Sequence, residues 1–367
     1  MRKIIVAVML LSLLITTVVL AGGPELKPYG FLKSDMVYTS AGVTSFGGNN
    51  LSAIQKATGE EIAALGFTAQ HSRFGLKGCV GEELKVGGRL ELDFFCGGFD
   101  TNARPRLRLA YAWVKKGNLQ FRFGQQWDLF SPNFPTTNNV NGFLWYLGNR
   151  GFRRGQIQMR YKLPLEGVAP MLQLSIGEAA KEAADLGADN LAVMPMIQGR
   201  VCTKFMEKYK VGLYFAYASF EPDPDTDDDE YTATGFGVDF NMPFHKLFAL
   251  KGEFNTGTNL NNCNLFNIAG SGAKDDDRKS MGLWMNVTTK PYDKLHLTLG
   301  YGMDKNQTDD LTAGTTEQNT IIYGNVNIPI DHGFSVAVEL GRITTSLKDV
   351  DDDNAANVFN IHGKISF

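Results

Sequence analysis

The chain has 367 residues, a formal charge of −3 at pH 7, and 40 Gly, 25 Phe and 12 Tyr against 13 Pro. That charge draws no nucleic acid. Cys79, Cys96, Cys202 and Cys263 lie at wide spacings that match neither a zinc pattern nor a cystine-rich secreted scaffold.

The first residues read MRKIIVAVMLLSLLITTVVLAGG. Arg2 and Lys3 precede an apolar run that ends in Val19-Leu20-Ala21, the pattern of an export signal cut after small residues. This predicts a cleaved signal over 1–21 and one domain over 22–367. The same run is nearly long enough for a single-helix anchor. Its small terminal residues, with no stop-transfer charge cluster, favour cleavage. No later stretch is long and apolar enough to be a membrane helix.

Period-2 alternation fills most of the remaining chain. It predicts sixteen strands, near 28–39, 71–80, 84–95, 105–116, 119–129, 153–163, 169–179, 194–205, 209–220, 231–243, 244–257, 280–290, 294–305, 319–330, 333–345 and 355–367. A helical period occurs in LSAIQKATGEEIAAL (Leu51–Leu65) and GEAAKEAADLGAD (Gly177–Asp189), which predict two short helices. Even-numbered strands end in short connections such as VGEE, KKGN and KPYD. The odd-numbered connections are mostly long: 40–70, 96–104, 130–152, 180–193, 221–230, 258–279, 306–318 and 346–354. A soluble sandwich gives no reason for this asymmetry. A closed transmembrane barrel does, with short turns at one end and long loops at the other. The predicted fold is all-β, a 16-stranded antiparallel transmembrane β-barrel with an inward-folded constriction loop.

The strand faces fit a barrel turned inside out relative to a soluble protein. In the fifth strand Phe121, Phe123, Gln125, Trp127 and Leu129 share one face, and Gln120, Arg122, Gly124, Gln126 and Asp128 the other. The fourth strand, PRLRLAYAWV, predicts Leu107, Leu109, Tyr111 and Trp113 toward lipid. Arg106 and Arg108 then point to the lumen above Ala110 and Ala112. Arg89, Glu91 and Asp93 oppose Leu90, Leu92 and Phe94. Arg73 and Lys77 oppose Phe74 and Leu76, and Arg154, Arg160 and Lys162 alternate with Met159, Tyr161 and Leu163. Strands thirteen and fifteen offer Lys294, His296, Thr298 and Gly300, and Ser335, Ala337, Glu339 and Gly341, to the lumen. One wall, strands two to six, therefore carries most of the interior arginine. Arginine stays charged at any working pH and in a narrow wet pore concentrates anions. The competing account is bracing, with the arginines paired to Glu91, Asp93 or Asp128.

Sixteen strands leave a channel rather than a filled core. The connection Phe130–Gly151, FSPNFPTTNNVNGFLWYLGNRG, is uncharged until Arg150 and holds Phe143, Trp145 and Tyr146, which predicts that it packs inward. The acidic runs EPDPDTDDDE (Glu221–Glu230), KDDD (Lys274–Asp277) and KDVDDD (Lys348–Asp353) lie in outer loops. They read as solvated surface or as sites of divalent-cation bridging to lipopolysaccharide. The missing central Gly and spaced terminal Glu argue against an EF-hand.

The segments PYGFLKSDMVY, HSRFGLKG, LELDFF, RLRLAYAWV, FRFGQQWDLF and GQIQMRYKLP, with the terminal Phe367, resemble the bacterial outer-membrane porin superfamily. The resemblance is nearest to the trimeric porins linked to uptake of dicarboxylates and other anionic solutes. It is close over residues 28–163 and architectural beyond. It implies an outer-membrane homotrimer with one pore per subunit. The loop after strand five would face an arginine cluster, which carries over to Arg73, Arg89, Arg106, Arg108 and Arg122, with Arg154 and Arg160 beside them. Cation-preferring relatives hold acidic residues in that loop; Phe130–Gly151 has none. The expected function is passive diffusion of small hydrophilic solutes, phosphate or dicarboxylates among them, with no cofactor, no metal and no catalytic residue. No GxSxG, Walker loop or HExxH is present. The alternative is a plugged structural or adhesive barrel whose acidic loops bind cations. An enzyme embedded in the barrel would need a Ser/His or Asp/His pair that the outward faces do not show. His71 is expected at the mouth, and His296 and His362 in the lumen near the periplasmic side or as structural residues.

Overall fold

Alternation of Phe, Leu and Tyr with polar residues carries the chain once around a closed cylinder. The computed structural model describes residues 25–45, 54–96, 102–139, 145–165, 168–179, 190–192, 194–206, 208–222, 231–245, 247–269, 277–307 and 311–367. The predicted signal, most of the second predicted helix and the run 223–230 lie outside them. The barrel strands are β1 (Glu25–Thr39), β2 in two pieces (Ala64–Thr68 and Arg73–Val80), β3 (Leu84–Cys96), β4 (Arg104–Lys116), β5 (Leu119–Trp127), β6 (Arg153–Lys162), β7 (Met171–Gly177) and β8 (Met196–Phe205). The second half is β9 (Tyr209–Pro222), β10 (Tyr231–His245), β11 (Phe248–Thr258), β12 (Lys279–Tyr292), β13 (Leu295–Asn306), β14 (Thr316–Asp331), β15 (Phe334–Leu347) and β16 (Asn354–Ser366).

Each strand pairs antiparallel with its neighbours. β16 returns to β1 in register from Phe31↔Ser366 to Thr39↔Val358, so no edge is left open to lipid. Between the two pieces of β2 the ladder breaks, and Ser72 replaces it. Its Oγ accepts from the Lys33 amide at 3.0 Å and donates to the Lys33 carbonyl at 3.2 Å. The short connection expected at MPFH, Met242–His245, is strand instead. β10 runs through Pro243, and the pairing with β11 shifts between Met242 and His245, the kind of irregularity that admits a proline.

Exposure is inverted, as a membrane barrel requires. Leu299, Leu213 and Phe236 are 72 %, 67 % and 63 % exposed, whereas Asp35, Asp93, Asp239, Glu253 and Asp304 are at 0 %. An apolar band of this kind is stable only against hydrocarbon.

Two further sequence expectations are corrected. Leu51–Leu65 is not a helix in its described part. Ile54–Ala57 is a strand paired with Val43–Ser45, and Ala64–Thr68 is the outer half of β2. Ile54 and Ala57 are buried against Val37, Ile321, Ile343 and Leu147, a tertiary contact that overrides local helical propensity. The faces of β4 also differ. Leu107 pairs with Leu92 and faces lipid, yet Leu109 pairs with Glu91 and is 2 % exposed. Arg108 is the extra residue of a β-bulge, which reverses the alternation. From there on Leu109, Tyr111 and Trp113 face the lumen, and Ala110, Ala112 and Val114 face outward beside Phe121 and Phe123.

Among the described residues, three segments enter the outer half of the barrel. The Val43–Ser45/Ile54–Ala57 hairpin lies on β14–β16, with the Ala57 amide donating to Thr345 Oγ1 at 3.0 Å and Asn319 Nδ2 to the Gln55 carbonyl at 2.7 Å. The segment after β11, with a 3₁₀ turn at Leu260–Cys263, buries Leu260, Cys263 and Leu265 against Phe130, Tyr214 and Phe220. The third segment is the connection after β5.

Candidate functional site: an arginine wall facing an inward loop

The described parts of the connection after β5, 130–139 and 145–152, fold into the lumen and are held by carboxylates and amides of the opposite wall. Glu253 on β11 accepts from Ser131 Oγ (2.6 Å), the Asn133 amide (2.5 Å), Asn149 Nδ2 (3.0 Å) and Trp284 Nε1 (3.0 Å). Glu339 on β15 accepts from the amides of Asn138 (2.7 Å) and Asn139 (3.1 Å) and from Thr137 Oγ1 (2.9 Å). Arg150 and Asp304 form an ion pair at 2.8 Å with both side chains at 0 % exposure. Lys33 Nζ donates to the Asn138 carbonyl at 2.6 Å. The backbone turns sharply at Ser131 (φ 50°) and Tyr146 (φ 65°), and runs so close to β12 at Gly148 (φ 100°) that a Cβ there would strike the Leu283 carbonyl. Trp145 stacks on Phe266 of the neighbouring inward segment with centroids 4.5 Å apart. Phe143 lies outside the described residues.

This loop leaves a cavity of about 240 Å³ against β2–β4, lined on the wall side by His71, Arg73, Arg89, Glu91, Arg106 and Arg108 and on the loop side by Phe134, Pro135, Thr137, Asn139 and Trp145. Two carboxylates organise the wall. Asp93 accepts a bidentate fork from Arg106 (2.9 and 2.7 Å) and a bond from Arg108 Nη1 (2.8 Å). Glu91 accepts from Arg108 Nε (2.8 Å), Arg89 Nη2 (2.9 Å) and the Tyr29 hydroxyl (2.9 Å), with Arg73 Nε at 3.6 Å. Arg106 and Arg108, two residues apart on the inward face, straddle Glu91 and Asp93, and the bulge at Arg108 brings Leu109 in beside them. Bidentate pairs of this kind fix the guanidinium planes. Positive groups still exceed negative ones around the cavity.

The other predicted arginines are elsewhere. Arg122 and Arg160 lie on the same wall toward the short-turn end, each hydrogen-bonded to a glutamine: Arg122 to Gln120 at 3.1 Å and Arg160 to Gln158 at 2.9 Å. Tyr111 stacks against Arg122 at 5.3 Å. Arg154 is not at the cavity. It is a brace, 5 % exposed, forked onto Asp128 (2.7 and 3.0 Å) and donating to the carbonyls of Glu178 and Cys263. Arg153 and Trp127 do reach the cavity. Strict alternation puts Trp127 toward lipid and passes over Arg153. Both stand at the root of the inward loop, where β5 and β6 stop following the pleat. Position beside that loop is the available signal. His296 and His362 line a separate chamber of about 920 Å³ toward the short-turn end, with Lys290, Lys294 and Lys364.

Sequence reasoning also passes over the far-wall acids Asp239, Glu253 and Asp304. Carboxylates at inward positions mark them; Glu253 and Asp304 seat the loop, and Asp239 is forked onto Arg200.

A sixteen-stranded barrel whose connection after β5 folds inside matches the family model of Gram-negative porins over residues 17–359. The chain belongs to the Gram-negative porins. This porin is therefore an outer-membrane channel. It is similar in structure to the outer-membrane channel DcaP of Acinetobacter baumannii, with a TM-score of 0.77, 20 % identity, and coverage of 94 % of this chain and 98 % of that one. An anion-selective porin from Comamonas acidovorans gives a TM-score of 0.62 at 13 % identity, covering 94 % and 100 % of the two chains. The trimer form of OmpT from Vibrio cholerae gives 0.59 at 14 % identity, covering 94 % and 99 %. At these identities the likeness is one of fold. A search of curated proteins finds no match.

Proposed function

We propose that this porin passes small hydrophilic anions, dicarboxylates and phosphate-like ions among them, through the gap between its arginine wall and the loop 130–152. The observation that carries this is the disposition of the acids. Glu253, Asp304 and Glu339 are buried and occupied in seating the loop, and Asp239 is forked onto Arg200 at 2.8 and 2.7 Å. At the gap, Arg73, Arg89, Arg106, Arg108 and Arg153 stand against only Glu91 and Asp93 among the described residues. Arg122 and Arg160 continue the positive track. A narrow wet path lined this way concentrates anions and repels cations. The similarity to an anion-selective porin accords with this reading. Liposomes holding the purified protein test it. Swelling in succinate should outpace swelling in putrescine, which has a similar length and opposite charge. Equal rates, or faster putrescine, contradict the proposal.

The working unit of this proposal is a homotrimer. Outward-facing Gly78, Gly88, Ala110 and Ala112 floor a groove of about 810 Å³ walled by Val86, Leu90 and Phe123. Small residues allow a second copy to approach closely. The exposed run Lys348–Asp353 is suited to cation-bridged contact with lipopolysaccharide.

A further inference from the structure

The arginines around the cavity differ in what neutralises them. Arg106 and Arg108 bind Asp93 and Glu91, and Arg73 and Arg89 share Glu91. Arg153 is 5 % exposed, lines the same cavity, and makes no ion pair among the described residues. Its Nε and Nη1 have no hydrogen-bond partner there. Stacking holds it instead. Its guanidinium lies 5.0 Å from the Trp127 ring and 5.1 Å from the Phe152 ring. Trp127 is fixed in turn by Arg108 at 5.8 Å and by the edge of Phe134 at 4.6 Å. Aromatic faces orient a guanidinium plane without using its N–H donors.

A buried cation without a counter-charge is costly, and an arriving anion removes that cost. The rest of the lining near Arg153 selects among anions. Leu109, Trp127, Phe134, Pro135 and Trp145 present apolar surface to the cavity. Such surface favours an anion with a hydrocarbon body over a small, strongly hydrated ion.

Taking the gap as an anion path, we propose that Arg153, positioned by Trp127, is the centre of a discrete binding site for organic carboxylates. The Glu91- and Asp93-paired arginines supply the surrounding field, and Arg153 supplies the unoccupied donors.

Block of single-channel chloride current by added potassium benzoate tests this with the full-length protein in planar bilayers. Wild-type block should saturate. Arg153→Gln should raise the half-blocking concentration by about tenfold or more, the effect of losing one charge-assisted hydrogen bond. Trp127→Leu keeps the arginine and removes its platform, and should raise it about threefold. Arg153→Lys keeps the charge, loses the planar fork, and should fall between wild type and Arg153→Gln. Wild-type half-block in both Arg153→Gln and Arg153→Lys overturns the site, as does an anion-preferring wild type that benzoate does not block. A cation-preferring wild type takes down the proposed function and the site together.

Discussion

At the scale of single residues, the arginines of the wall are not interchangeable. Asp93 is at 0 % exposure and is neutralised by Arg106 and Arg108. Replacing both arginines by Ala strands that carboxylate, at a cost of about 3–5 kcal/mol. The double variant is expected to unfold at lower temperature in heat-modifiability gels. Arg122 makes no ion pair among the described residues, so Arg122→Gln strands no acid there. It should assemble at wild-type yield and shift the zero-current potential toward cation passage. An unchanged potential in Arg122→Gln would remove that residue from the path. The wall was legible in the sequence over β2–β5, because lysine and arginine on alternate positions there have only a wet lumen to face; on β6 Arg154 is a brace and Arg153 was passed over. Its division into Asp93-paired, Glu91-paired and unpaired members was not. That division depends on which arginine meets which carboxylate across strands, and on a bulge at Arg108 that no residue type announces.

At the scale of elements, the inward loop is a separately anchored unit. Its anchors are the Arg150–Asp304 pair and the acceptors Glu253 and Glu339. Asp304→Asn leaves Arg150 buried without its counter-charge and should destabilise the seated loop by about 3–5 kcal/mol. Hydrogen exchange should then quicken at residues 145–150 while the ladders of β12–β14 stay protected. Exchange quickening equally across those strands would show that the loop has no independent anchorage. The loop's length, its aromatics and its want of acids are visible in the sequence, and these foretell its inward course. The other two inward segments are less visible. The strand Ile54–Ala57 lies within Leu51–Leu65, an Ala- and Glu-rich stretch whose local preference is helical. It becomes strand because Ile54 and Ala57 find an apolar niche between β1, β14 and β16. Strand positions along the barrel were legible almost throughout, since one face must meet lipid and the other water.

At the scale of the whole molecule, the proposed homotrimer seats a second copy in the outward groove on β2–β4. An added Cβ at Gly88 meets nothing closer than the Tyr111 carbonyl at 3.4 Å, so a side chain there leaves the barrel itself undisturbed. Gly88→Phe fills the groove and should convert a trimer to monomer in detergent, read by native mass measurement. A trimer that survives places the subunit contact elsewhere. Selectivity belongs to this scale as well, because it sums every charge the lumen leaves uncompensated. The most direct measurement is the zero-current potential of the wild-type channel in a planar bilayer under a tenfold KCl gradient. The arrangement of buried, occupied acids on one wall and excess arginine on the other predicts stepwise conductance and a potential whose sign favours chloride. A sign favouring potassium would contradict it and hand selectivity to Glu91, Asp93 and the acidic outer loops.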